Sequence, residues 1–402
     1  MSNQYRVYGK RWAVLGVYML VNLTIQLLWI AYAPVTSLAA EYYGVSELQI
    51  GFLSMSFMIA FIPLSLPISW LIDKFGFYKM VALGSIIAAL CGLGRGWAGN
   101  SFGIVMATTI GMAAAQPFFL NSWTKMSGAW FPAKERATAV GLVTLANLVG
   151  TAIGQVLTPV LVKTMSLAQV QLYYGIAASV AALLFILVAR DKPELPPDES
   201  ASAERALMID GLKHALSLRE FRNYLIIAFI GLGIFNGITT WIEGIVAPRG
   251  FNSEQAGVIV AIMLVAGVIG SVAIPAISDK KGKRIPFLVI GLAGGIPGLV
   301  GLTLGTSFWL VALSSFVLGF FLVSINPIGT QYASDIALPT PEGTSNGLIS
   351  LAGQISVVLV YFMQALKSAK SAYTLPLLIF AGLLVLSIGL ALSLREPSEA
   401  RR

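Results

Sequence analysis

At 402 residues, 57% of them hydrophobic and only 11% charged, the chain carries too little charge for a soluble protein of its length. A single cysteine, Cys91, excludes a disulfide-stapled secreted scaffold, and the same composition excludes intrinsic disorder and a nucleic-acid module. An integral membrane protein remains, and its formal charge of +8 raises the question of which side of the bilayer holds the basic residues.

Crossing about 30 Å of hydrocarbon takes about 20 helical residues. Residues 1–11 are too polar for a signal peptide and the apolar run 12–40 is too long for one, so the chain is expected to start with a retained helix. Further uncharged runs cover 48–72, 137–162, 164–189, 223–242, 255–278, 343–366 and 371–394. Run 80–124, interrupted only by Arg95, and run 285–334, turning at Gly305, Thr306 and Ser307, each hold two helices and a tight turn. The expectation is an all-α membrane protein of twelve transmembrane helices. The runs are apolar all round instead of alternating, which excludes a β-barrel.

The polar stretch 191–220, with Pro193, Pro196 and Pro197, separates spans six and seven and reads as a linker. Residues 203–217 within it suit an amphipathic surface helix that leaves His214 solvated. The chain thus divides into 1–190, the linker 191–220, and 221–402. With residue 1 inside, all of the 26 Lys and Arg fall on that side except Arg95, Lys163, Arg249, Lys367 and Lys370. Both termini are therefore expected in the cytoplasm, in a multi-pass protein of the cytoplasmic membrane. The same asymmetry explains the positive charge without any nucleic-acid partner.

An offset of 206 residues brings Asp73-Lys74-Phe75-Gly76 onto Asp279-Lys280-Lys281-Gly282 and residues 141–146 onto 347–352. Two pseudo-symmetric six-helix halves are expected, and the paired D-K-x-G turns resemble the loop signature of the major facilitator arrangement, which implies a site at mid-membrane between the halves. The fifth helix starts near Arg136 and the eleventh near Gly343, both offering unsatisfied N–H groups at the cytoplasmic end. Asp73 and Asp279, in turns that end at Gly76 and Gly282, are expected to meet them as gating residues, Asp73 at helix eleven and Asp279 at helix five.

Span two carries Leu53-Ser54-Met55, Met58, Ala60, Pro63, Pro67, Trp70-Leu71 and Asp73. Trp29-Ile30 with Tyr32, Ala115-Gln116, Trp130-Phe131-Pro132, Lys134-Glu135, Glu342-Gly343-Thr344-Ser345, Gly347-Leu348 and Gln354 extend the pattern. Across nearly all of its membrane region the chain resembles the feline leukaemia virus subgroup C receptor family, transporters associated with choline, ethanolamine and haem. That resemblance implies substrate contact for Gln116 and Gln354, and makes Trp29 one wall of an aromatic box for a cation.

The residues themselves show no catalytic constellation, no metal-ligand spacing and no cofactor motif, so no enzyme is expected. Embedded charge costs about 2.5–3.5 kcal/mol at the bilayer centre, and only Arg95 and Glu243 qualify. Both fall toward the outer side, as an outer vestibule. Arg95 there binds an anionic solute, seals a gate or snorkels to the interface. The central candidates are uncharged: Trp29, Tyr32, Gln116, Asn147, Phe235, Asn236, Asn326 and Gln354. Any one of these polar groups alone also fits a role as glue between helices. Phe235, 206 residues after Trp29, suits the opposite wall of the box, and Asn236 beside it departs from the family's second aromatic.

The leading expectation is a secondary transporter, a monomer in membrane lipid that moves a small organic solute, choline-like or another amine, by alternating access. The alternatives are an organic-anion transporter using Arg95 and a non-transporting sensor or receptor on the same scaffold.

Overall fold

The computed structural model describes residues 5–197, 208–338, 340, 342–368 and 372–396. Residues 203–207 of the surface helix and the basic residues Arg205, Lys370, Arg401 and Arg402 lie outside them. Hydrocarbon offers the backbone no hydrogen bonds, so a spanning segment must satisfy itself internally. Twelve helical segments among the described residues are long and apolar enough to cross a bilayer. Large side chains such as Leu90, Leu183, Val272 and Trp309 stay exposed, a surface suited to lipid.

The chain forms two compact units, Met1–Glu204 and Arg205–Arg402. In the first, α1 (Lys10–Ile30), a 3-10 turn (Ala33–Val35) and α2 (Thr36–Tyr43) make span one. Then come α3 (Glu47–Phe75), α4 (Phe77–Trp97), α5 (Phe102–Leu120) with α6 (Trp123–Trp130), α7 (Ala133–Leu161) and α8 (Leu167–Val188). The second unit holds a short α9 (Met208–Ser217), then α10 (Arg219–Val246), α11 (Ser253–Lys281), α12 (Ile285–Leu304) and α13 (Phe308–Ile336). It ends with α14 (Glu342–Ile355), α15 (Val357–Ala365) and α16 (Thr374–Leu392).

The 206-residue register extends further than the two sequence matches. Helices α3 and α11 begin with the same capping box, Ser46 with Gln49 and Asn252 with Gln255. Each is closed by a glycine of positive φ, Gly76 and Gly282. Packing repeats as well: α4 lies on α5 and α8 as α12 lies on α13 and α16, and α1 lies on α7 as α10 lies on α14 and α15. An acidic residue after the last span of each unit caps the start of the third. Asp191 Oδ1 accepts from the Tyr78 N–H at 3.1 Å, and Glu396 Oε1 accepts from the Arg284 and Ile285 N–H groups, each at 3.1 Å.

Part of the stretch read as a linker is a docked helix. Thr340 Oγ1 donates to the Gly211 carbonyl at 3.1 Å, and half-buried His214 places Nε2 3.3 Å from the Leu338 carbonyl, tying α9 to the rest of the second unit. The spans also break where apolar runs give no sign of it. Span one unwinds at 31–35, where Pro34 cannot donate; span four breaks between Leu120 and Trp123; span eleven breaks at Ser356; and Trp241 (φ −107°, ψ 16°) kinks α10.

Candidate functional site

Trp29 is the penultimate residue of α1, where the break begins, and is 7% exposed. Its Nε1–H donates to the Ser54 carbonyl at 3.1 Å, and the Ser54 hydroxyl donates back to the Trp29 carbonyl at 3.1 Å. One serine of α3 therefore fixes both the ring and the backbone of the tryptophan. Ser54 was legible only as a member of the family pattern, because a lone serine in an apolar run carries no signal of its own.

Gln116, on α5, is 4% exposed and its Oε1 is enclosed without a hydrogen-bond partner. The level of α5 against α3 is set by Asn121, whose Nδ2 donates to the Ser65 carbonyl at 2.9 Å. At 1.5 Å per residue, Ser54 stands about 16 Å from Ser65 and Gln116 about 8 Å from Asn121, both in the same direction. Trp29 thus lies about 9 Å beyond Gln116 along the membrane normal. Asn147, on α7, is likewise buried with Oδ1 unpartnered.

Tyr32 is wholly packed. Its hydroxyl shares a 3.0 Å hydrogen bond with that of Tyr43, and the Arg95 guanidinium lies over its ring at 5.2 Å from the centroid. Arg95 itself is 0% exposed and donates from Nη1 to the Leu28 carbonyl at 3.0 Å. Its head group does not reach solvent, unlike that of a snorkelling side chain.

In the second unit, Gly353 of α14 packs against the Leu232 side chain and Gly233 of α10 against Leu359 and Ser356. These contacts put Phe235 and Asn236 on α10 and Gln354 on α14 at one level, beside the break at Ser356. All three side chains are half-buried. Asn326 is exposed on its unit, with the Thr330 hydroxyl donating to its carbonyl at 2.7 Å. Glu243 is 5% exposed and accepts from the Ser253 hydroxyl at 3.1 Å, at the start of α11. Trp241, which the sequence did not single out, donates from Nε1 to the Val360 carbonyl at 2.9 Å and stacks on Tyr373.

The turn residues are engaged within their own units. Asp73 pairs with Lys125, Asp279 with Arg284, and Arg136 donates from Nε to the Phe131 carbonyl at 3.1 Å. At Gly76, φ is +90° and a Cβ would meet the Asp191 carboxylate at 2.4 Å, so the turn and the α4 cap together exclude a larger residue.

The sequence pattern of the Major Facilitator Superfamily matches residues 14–361 and 245–402. The chain is 29% identical over 422 residues to the choline/ethanolamine transporter FLVCR2 of Rattus norvegicus, covering 99% of this chain and 76% of that protein. It is 31% identical over 375 residues to solute carrier family 49 member A3 of Xenopus tropicalis, covering 89% and 77%. The crystal structure of a bacterial homolog to the human lysosomal transporter Spinster, inward-facing and unoccupied, has the same fold, with a TM-score of 0.75 over 98% of both chains at 14% identity. The chain belongs to the major facilitator superfamily and is, like its relatives, a multi-pass membrane transporter and not an enzyme.

Proposed function

We propose that the protein carries a small ammonium solute of the choline or ethanolamine class across the cytoplasmic membrane, by alternating access of its two halves, with both termini cytoplasmic. The observation that carries this reading is the pairing of a fixed tryptophan with an unfilled amide acceptor. Trp29 is held by Ser54, and about 9 Å away along the normal the enclosed Gln116 Oε1 lacks a donor. A cation sits within about 6 Å of an aromatic centroid. A hydroxyl or ammonium N–H donates to an amide oxygen at about 3 Å. A two-carbon amino alcohol supplies both groups at that separation. Within the second half, Phe235, Asn236 and Gln354 are proposed as the substrate-contacting residues. The names of the relatives support the same substrate class, and the one-sided distribution of basic residues supports the orientation.

An organic anion held by Arg95 finds less support, because that guanidinium is wholly enclosed and already engaged with a backbone carbonyl. A thermal-shift screen of the purified protein against choline, ethanolamine, small carboxylates and haem tests the reading. Stabilisation by the amines is expected; stabilisation by carboxylates alone contradicts it.

Gln116→Ala and Gln354→Ala are each expected to weaken choline binding about fivefold, about 1 kcal/mol for a hydrogen bond lost. Gln116→Ala should affect choline more than tetramethylammonium, which has no hydroxyl. Equal losses for the two ligands would remove Gln116 as the hydroxyl acceptor.

Transport is expected to follow the membrane potential and not a proton gradient, since Glu243, the one buried carboxylate among the described residues, lies toward the outer side and accepts from Ser253 at the start of α11. Uptake into liposomes at zero potential should ignore an imposed pH gradient. A dependence on that gradient that vanishes in Glu243→Gln would overturn the assignment.

A further inference from the structure

We propose that Arg95 is a positioning residue for Trp29, clamping the backbone of the substrate-binding tryptophan from α4. The inference rests on Trp29 contacting the solute. Helix α1 ends at Ile30, so the carbonyls of its last turn lack helical donors and carry the negative end of the helix dipole. Two of them are the peptide carbonyls on either side of Trp29. The Leu28 carbonyl accepts from Arg95 Nη1 at 3.0 Å, and the Trp29 carbonyl accepts from Ser54 Oγ at 3.1 Å. With the indole N–H on the Ser54 carbonyl, three hydrogen bonds from two other helices hold one residue beside a break.

The charge on Arg95 has no other evident employment. Its Nε and Nη2 are buried without hydrogen-bond partners, and among the described residues no carboxylate pairs with it. A buried cation left uncompensated is strongly unfavourable. Here the carbonyl end of α1 and the face of Tyr32, 5.2 Å away, supply the compensation. The clamp is rigidly mounted. Next to Arg95, Gly96 packs directly on the Leu172 backbone of α8, and one turn earlier Gly92 packs on Gly175. The α4–α8 pair therefore acts as a fixed support, while the 31–35 break is the compliant element whose geometry it sets.

A double-mutant cycle tests this, with radiolabelled choline binding to the purified full chain as the readout. Arg95→Gln should raise Kd about tenfold when Trp29 is present and less than about twofold in a Trp29→Ala background, because the clamp acts only through the ring it positions. The same factor in both backgrounds, or no change with Trp29 present, overturns the proposal. Arg95→Lys, which keeps a charged donor, should recover most of the affinity; where Arg95→Gln does not give folded protein, Arg95→Lys is read in the same cycle, with a smaller Trp29-dependent loss expected and an equal loss in both backgrounds overturning the clamp. Hydrogen exchange over residues 31–36 gives a ligand-independent readout and should rise about tenfold in Arg95→Gln at unchanged exchange in α8. A wild-type chain that binds neither choline nor ethanolamine removes the substrate reading, and unchanged exchange at 31–36 then removes the clamp.

Discussion

Trp29→Ala is expected to raise the Kd for choline about 30-fold, whereas Trp29→Phe retains much of the affinity. A cation desolvated against an indole face gains about 2 kcal/mol, and each 1.4 kcal/mol is a factor of ten. Phenylalanine keeps a π-face at the same place but loses the Nε1–H bond to the Ser54 carbonyl. That loss loosens the hold on the ring, so it should lower thermal stability and raise Kd a few-fold, well short of the loss in Trp29→Ala. Titration of the two variants with choline checks the order. Equal losses for Phe and Ala would show that the site reads shape and not charge at the ring.

The second large effect is on stability. In Gly150→Ala the new Cβ would lie 2.2 Å from the Leu23 carbonyl oxygen and 2.9 Å from its carbon, backbone atoms that cannot rotate away. Helices α1 and α7 would have to separate, and overpacking of this kind costs about 1–3 kcal/mol. For a unit of this size that lowers the melting temperature by about 2–4 °C per kcal/mol. Gly154, one turn further on, is a control. A Cβ there meets the Ile30 Cγ2 at 2.6 Å and the Leu27 carbonyl only at 3.3 Å, so a side chain can give way. Thermal melts in detergent should show Gly150→Ala as the more damaging change. A loss for Gly154→Ala that equals or exceeds it would mean that the α1–α7 approach is not set by the carbonyl at Leu23.

The two glycines also show what was legible in the sequence and what was not. Spans were readable because hydrocarbon imposes one solution on any segment that crosses it. The duplication was readable because two loop and helix motifs share one offset, and the capping boxes at Ser46 and Asn252 now extend it. Breaks were not readable from proline alone. Pro63 and Pro67 lie inside a continuous α3, whereas Pro34 marks an unwound segment. Gln116 stood out through the family pattern, since a mid-span amide alone also fits helix packing, and its enclosed, unpartnered Oε1 is visible only in the structure. The surroundings of Arg95 were not identifiable, since its hydrogen-bond partner is the carbonyl of Leu28 and a backbone acceptor leaves no signature in residue type.

The most direct measurement is uptake of radiolabelled choline and ethanolamine by the purified protein in liposomes, with an inside-negative potassium diffusion potential. Saturable uptake of the amines is expected, accelerated by the potential, competed by unlabelled choline and strongly reduced in Trp29→Ala at low substrate concentration. Binding of choline without any uptake, or saturable uptake confined to carboxylates, would contradict a choline-class transporter.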